Sequence, residues 1–377
     1  MKIIIIGPAH PLRGGIADTN ASLCRALSAE NEVAIVSFTL QYPAFLFPGK
    51  TQRSTDPAPQ DISITPMLNS VNPFNWIKAA RKINKQNPDL VIFRYWIPFM
   101  APCMGTLARR LKKQIPLIAL CDNIIPHERR ISDSILTRYF VKPFHGFVTL
   151  SRSVKSELKT FTAKPVITIP HPINDGPGGR ISKEQARKQL KLDPEGNFIL
   201  FFGLIRKYKG LDLILKALGD KKLRDLKVKL LIAGEFYDPP EAYSGIIEAL
   251  GLHDRVIIRD EYIPASETGR YFSAADLVTQ TYHTASQSGV TQLAFHFDCP
   301  ILVTNVGGLS EVVTHEKTGY VTSKAPAEIA AHIAEFYENK RSAAFIKNIQ
   351  KEKERYSWSA FACALTDFYE DVKPKAK

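Results

Sequence analysis

The sequence predicts an α/β protein of two doubly wound parallel-sheet domains facing a central cleft. Three observations carry that expectation. Strand-sized apolar runs alternate with helical patterns from Lys2 to Pro172. The alternation restarts at Phe198, after a Gly/Pro/charged linker at 173–196 where the hinge is placed. Residues 281–313, TYHTASQSGVTQLAFHFDCPILVTNVGGLSEVV, open a helix on Ser288-Gly289 just past a strand end. Free backbone N–H groups converge at such a start and the helix dipole favours anions, so a phosphate-bearing, nucleotide-type ligand is expected.

In the first half the strand Lys2–Ile6 runs into a Gly-Gly loop, a helix over about 16–29 and the strand Val33–Phe38. Residues 40–75 are Pro-rich, with one short strand near Ile62–Ile64. A helix around Trp76–Asn84, the strand Leu90–Phe93, a helix over about 101–113 and the strand Leu117–Cys121 follow. After the polar loop Asp122–Asp133 and a helix to about Val141 come the strand Gly146–Thr149, a helix opening at Ser151 and the strand Val166–Ile169, ended by Pro170-His171-Pro172. The second half offers the strands Phe198–Phe202, Lys229–Ala233, Val256–Ile258, Leu277–Gln280 and Ile301–Thr304. Helices at 210–218, 239–250, 266–274, 326–338 and 341–353 are placed around them, and an amphipathic helix from about Trp358 to Tyr369 closes the chain. Ligands of such sheets bind outside the strand C-termini.

At 377 residues with 45% apolar content, two globular domains are the default. No apolar run approaches the roughly 20 residues of a spanning helix. Met1 leads straight into a strand, so no signal peptide is expected. The five cysteines are scattered without metal or disulfide spacing, which points to a reduced, cytosolic protein. Charge is lopsided. Residues 1–170 hold 22 Lys+Arg against 10 Asp+Glu, whereas residues 171–377 hold 28 against 27. A one-sided basic field points to an anionic partner, whether a membrane surface, nucleic acid or an acidic substrate, or else to a merely soluble surface. A basic nucleic-acid-binding protein is the rival of another class, and no recognised nucleic-acid module is present.

Several side chains could carry chemistry. Gly14-Gly15, in HPLRGGIADT, open a helix after the first strand and either approach an anion or make a tight turn. Arg206 and Lys209, in FFGLIRKYKGLDLIL, follow a strand end and either neutralise a diphosphate or, with Lys207, form a solvated charge run. Asp122, Asn123, His127 and Glu128 follow another strand and suit acceptor contacts, acid–base work or a capped loop. His171, between prolines, reads as structural, and Glu235 as a helix cap or a nucleotide contact. FNWIKAARKINK sets Trp76, Ile77, Ala80 and Ile83 near one face, with Lys78, Arg81, Lys82 and Lys85 largely elsewhere. With Arg109 to Lys113 it reads as an interfacial basic patch or an ordinary amphipathic surface helix.

Over nearly its whole length the chain resembles retaining GT-B glycosyltransferases of family 4, the glycosyl transferases group 1 class. The likeness is carried by the strand–Gly-Gly–helix at 2–29, the Asp122–Glu128 loop, FVTLSRSVKSEL, VITIPHPI, FFGLIRKYKGLDLIL, LLIAGE, SAADLVTQTYHTASQSGVTQLA, CPILVTNVGGLSEVVTHEKTGYV and YSWSAF. It implies an α/β GT-B fold of two Rossmann-like domains. Residues 1–172, with a crossover helix over 356–377, would bind the acceptor, and 173–355 the nucleotide sugar. Gly14 and Gly15 would approach the donor phosphate. Arg206 and Lys209 would hold the diphosphate, although Arg206 lies two positions later than the usual arginine. Ser288, Gly289, Val290 and Thr291 would form the phosphate-binding helix start, with Gln287 and Glu311 completing the donor set. Asp122 or His127 would orient sugar or acceptor as the catalytic pair. No metal and no cofactor beyond the donor are expected.

The sequence departs from the family at one place. Aligned on Pro300, the two family glutamates spaced eight apart fall on Ala285 and Leu293, with Gln287 and Gln292 as partial substitutes. Asp122 also stands about where many members have histidine. The implied activity is hexosyl transfer with retention from a nucleotide-diphosphate sugar to a saccharide or lipid-linked acceptor. It would serve surface polysaccharide or glycolipid synthesis, in the cytoplasm or at the inner face of the plasma membrane. A nucleotide-sugar epimerase of the same plan and a catalytically weak sugar-nucleotide-binding subunit are the alternatives.

Overall fold

The computed structural model describes the chain apart from residues 44–51, 55–56, 126–130, 174–178, 286 and 374–377, and the side chain of Ile131. It divides into two units, Met1–Pro172 with Ser357–Lys377, and Ile173–Tyr356. The first unit holds strands β1 (Lys2–Ile6), β2 (Glu32–Leu40), β3 (Ser63–Asn69), β4 (Leu90–Tyr95), β5 (Leu117–Cys121), β6 (Gly146–Thr149) and β7 (Val166–Thr168). The second holds β8 (Asn197–Phe202), β9 (Val228–Ala233), β10 (Val256–Arg259), β11 (Leu277–Gln280), β12 (Ile301–Thr304) and β13 (Gly319–Thr322).

Both sheets are parallel throughout. Their orders are β3-β2-β1-β4-β5-β6-β7 and β10-β9-β8-β11-β12-β13. The order reverses between β1 and β4 in one and between β8 and β11 in the other, and a crevice opens at the strand C-termini of such a reversal. The expected α/β architecture is thus what forms.

Strand burial explains the near-continuous apolar runs. In β1, Ile4 and Ile6 face one core while Ile3 and Ile5 face the other. In β8, Phe198 and Leu200 face one side, and Ile199 and Phe201 the opposite side. A sheet covered on both faces leaves no polar positions, which is why these strands lack alternation.

Helix starts follow local chemistry. Asn72 caps the helix Pro73–Lys85 through Phe74 N and Asn75 N, with Pro73 at the first helical position. Ser151 and Ser182 cap the helices Arg152–Lys159 and Lys183–Leu190 in the same manner. The last helix, Trp358–Val372, capped by Ser357, belongs to the first unit. It buries Trp358, Phe361, Leu365 and Phe368 at helical spacing beside Leu23 and Leu27 of the helix Gly15–Ser28. Each such side chain contributes about 1.5–3 kcal/mol on burial. Gly146 makes the fit possible, since a Cβ there would lie 2.8 Å from Phe368 Cζ.

The structure also departs from the sequence expectations. The strand near Ile62–Ile64 runs instead from Ser63 to Asn69, because pairing with β2 supplies hydrogen bonds that its own composition does not demand. A short helix at Lys221–Asp225 and the edge strand β13 appear where none was expected.

Candidate functional site

The strand C-terminal end of the second unit's sheet carries most of the singled-out residues. β8 ends at Phe202, and the chain passes through Gly203 to the turn Lys207–Lys209 and the helix Leu211–Leu218. β11 ends at Gln280 and leads to the helix Gly289–His296, whose first N–H groups Ser288 caps by accepting from Val290 N at 3.3 Å. The two loops meet. A Cβ built on Gly203 would lie 3.6 Å from both Lys209 Nζ and Val290 Cγ2. One ammonium and one helix start therefore share a single spot at the sheet's reversal point.

Three hydrogen bonds clamp these loops together. Thr281 Oγ1 donates to Gly210 O at 2.8 Å, His283 N to Tyr208 O at 2.7 Å, and His283 Nε2 pairs with Asp212 Oδ1 at 2.8 Å. Gly210 sits at φ +68, and a Cβ there would lie 1.8 Å from Thr281 O. Only glycine fits this contact.

Beneath the helix start, Gln280 acts as a buried hub. Its Nε2 donates to Ser288 Oγ at 2.6 Å, and its Oε1 accepts from Thr291 Oγ1 at 2.5 Å. Tyr282 OH lies 3.2 Å from Ser288 Oγ. Burial pushes the Tyr282 hydroxyl up, so it stays neutral as a partner.

Lys209 is held in an unusual state. Burial lowers its amine below the ordinary lysine value, Tyr208 opposes that shift, and Arg206 adds to it by like-charge repulsion. The Arg206 guanidinium carbon lies 5.9 Å from the Tyr208 ring centre, and Lys209 Nζ lies 5.8 Å from that of Tyr282. Two cations against aromatic faces, one of them desolvated, form a seat that an anion would stabilise.

The other expected residues lie as follows. Gln287 is half-buried just before the helix start, Gly289 is exposed and Thr291 is buried. Glu311 is exposed in the short helix Leu309–Val312, which follows β12 at the same sheet end. Ala285 and Leu293, at the family glutamate positions, pack with Val290 against the apolar core of the unit. Gln292 is buried, and its Oε1 finds no hydrogen-bond partner among the described residues.

In the first unit Gly14 caps the helix Gly15–Ser28 with φ 122, a glycine conformation, and both glycines are exposed with open space where a Cβ would be. Asp122 is held in a buried ion pair. Its two carboxylate oxygens accept from Arg94 Nε at 2.5 Å and from Arg94 Nη2 at 2.6 Å, and both residues are buried. The pair bridges the ends of β4 and β5, an ion pair that the sequence did not reveal. His171 is buried in the field of this pair, with Nδ1 2.7 Å from Pro172 O, and burial holds its imidazole below the ordinary value. His127 lies outside the described residues.

Comparison with known proteins matches each half to a family. The family model Glycosyltransferase Family 4 matches residues 13–176, and Glycosyl transferases group 1 matches residues 182–352. The D-inositol 3-phosphate glycosyltransferase of Segniliparus rotundus is 32% identical over 192 residues, 50% of this chain and 42% of that protein. Its counterpart in Corynebacterium aurimucosum is 24% identical over 274 residues, 71% of this chain and 61% of that protein. The matched stretch thus spans less than two thirds of these relatives. Among solved structures, sucrose-phosphate synthase from Thermosynechococcus elongatus superposes with TM-score 0.76 at 16% identity, covering 99% of each chain. Anabaena HepE in complex with UDP and glucose superposes with TM-score 0.74 at 16% identity, covering 99% of this chain and 100% of that one. The fold is GT-B.

Proposed function

We propose that this chain, whose residues 13–176 and 182–352 match two glycosyltransferase family models, transfers a sugar, with retention, from a nucleotide-diphosphate sugar to a saccharide or lipid-linked acceptor. The observation that carries the reading is the convergence of Lys209 Nζ and the Ser288-capped helix start beside Gly203. The UDP and glucose bound by HepE favour a uridine-linked donor. The D-inositol 3-phosphate glycosyltransferases add a precedent for a polar hydroxyl acceptor.

In this mechanism Arg206, Lys209 and the N–H group at Gly289 stabilise the negative charge that grows on the diphosphate as the glycosidic C–O bond breaks. The acceptor hydroxyl attacks from the face the diphosphate leaves, and its proton passes to the departing phosphate oxygen. Gly14 and Gly15 leave room for close backbone approach, and the protein's own cations neutralise the diphosphate. The reaction would supply surface polysaccharide or glycolipid synthesis in a reducing cytoplasm.

A specific observation favours a second reading, a subunit that binds the donor and turns over weakly. Apolar Ala285 and Leu293 stand where the family has its two glutamates.

Thermal shift with UDP-, GDP- and ADP-sugars identifies the donor through the stabilisation that a bound ligand confers. Product analysis with and without acceptor then separates transfer, epimerisation and silent binding. The Arg206→Ala, Lys209→Ala double variant should lose turnover by at least about a hundredfold with its fold intact. Unchanged turnover removes these two residues from the mechanism.

A further inference from the structure

The first unit carries a basic stripe with an apolar tip that the sugar-transfer reading does not use. Residues 62–121 contain nine Lys and Arg but only one acidic residue, Asp89, whose carboxylate accepts from Lys2 N. The helix Pro73–Lys85 buries Trp76, Ala79, Ala80 and Ile83. On its other side Phe74, Lys78, Arg81 and Lys85 are all exposed. Spaced four, three and four residues apart, they fall within about 60° of arc on the helix. Phe74 is 84% exposed and Val71, three residues before it, 48%.

The stripe continues onto the end of the helix Ala101–Arg110 and the turn after it. Asn84 Nδ2 donates to Arg110 O at 2.9 Å and its Oδ1 accepts from Lys112 N at 3.0 Å. These bonds bring exposed Arg110, Lys112 and Lys113 beside Lys85. A phenylalanine this exposed at the tip of a cationic helix is costly in water and favourable at a lipid headgroup boundary.

We propose that this face docks the protein on an anionic lipid bilayer, with Phe74 and Val71 entering the headgroup–acyl boundary and Lys78, Arg81, Lys85 and the Arg110–Lys113 cations meeting lipid phosphates. The apolar tip selects a bilayer over a nucleic acid, since a phosphate ladder offers it no hydrocarbon to enter. The inference is independent of the catalytic reading. No helix among the described residues is long and apolar enough to cross a membrane.

The test is co-sedimentation of the full chain with phosphatidylglycerol-rich vesicles and with pure phosphatidylcholine vesicles. The expected result is binding to the anionic vesicles alone, weakened by salt. The Lys78→Gln, Arg81→Gln, Lys85→Gln variant should bind about a hundredfold more weakly, whereas Lys221→Gln, Lys222→Gln, Arg224→Gln, on the second unit, should bind as the parent does. Phe74→Ala should lower binding several-fold at a salt concentration that screens the charges. Equal loss in the two triple variants, equal binding to both vesicle types, no binding at all, or full displacement of the vesicles by a single-stranded oligonucleotide would each overturn the proposal.

Discussion

Replacing Gly210 by alanine tests whether the two loops of the second unit work as one clamp. A non-glycine residue in the left-handed region costs about 1–2 kcal/mol by itself. The added Cβ would also sit 1.8 Å from Thr281 O, a backbone atom that can retreat only if the loop after β11 moves. That movement breaks or stretches the bonds from Thr281 Oγ1 to Gly210 O and from His283 N to Tyr208 O, each of which contributes about 0.5–1.5 kcal/mol. Gly210→Ala should therefore destabilise the second unit by about 2–5 kcal/mol. It should also weaken UDP binding, because Lys209 and Ser288 no longer share one spot. Urea unfolding followed by calorimetric titration with UDP reads both effects. Gly245, inside the helix Glu241–Ala249 with open space around it, is the control, and Gly245→Ala should stabilise by about 0.5–1 kcal/mol. If Gly210→Ala matches the parent in stability and affinity, the clamp does not exist.

Other outcomes follow from the same coordinates. Arg94→Leu leaves the buried Asp122 carboxylate without its main partner and should cost about 3–5 kcal/mol in chemical unfolding, while adding Asp122→Leu should recover most of the loss; a double variant no better than the single one argues against the pair. Gly146→Val should loosen the last helix by about 1–3 kcal/mol, seen as early amide exchange in residues 358–372, and unaltered exchange refutes the close fit. A bound diphosphate favours the charged form of Lys209 that burial disfavours. Affinity should therefore fall, with protons taken up on binding, as pH rises above the lowered Lys209 value towards 10.5. Lys209→Met should bind more weakly with a flat profile, so matching slopes for the two proteins rule Lys209 out.

The layer pattern was legible because both sheets are covered on two sides, so Ile3–Ile6 and Phe198–Phe202 announce strands by apolar content alone. Ser288-Gly289 was legible because a serine cap is a local signal. The clamp was not, since Thr281 and Gly210 stand 71 residues apart and meet only through strand order. The same holds for Arg94 and Asp122, whose 28-residue separation hides the ion pair. Gln280 looked like one more strand residue, and its role as a hub needs the Ser288 and Thr291 hydroxyls around it. β13 was missed for a different reason, because the four residues Gly319–Thr322 are recruited by pairing with β12.

The second unit leaves and rejoins the chain at neighbouring residues. Ile173 N, in the first residue of that unit, donates to O of Tyr356, its last, at 2.8 Å. Residues 173–356 are thus a cassette spliced into the first unit through two adjacent peptide joints. Such wiring makes the cassette exchangeable as a block. A homologous one could be grafted in without reordering a single strand of its host.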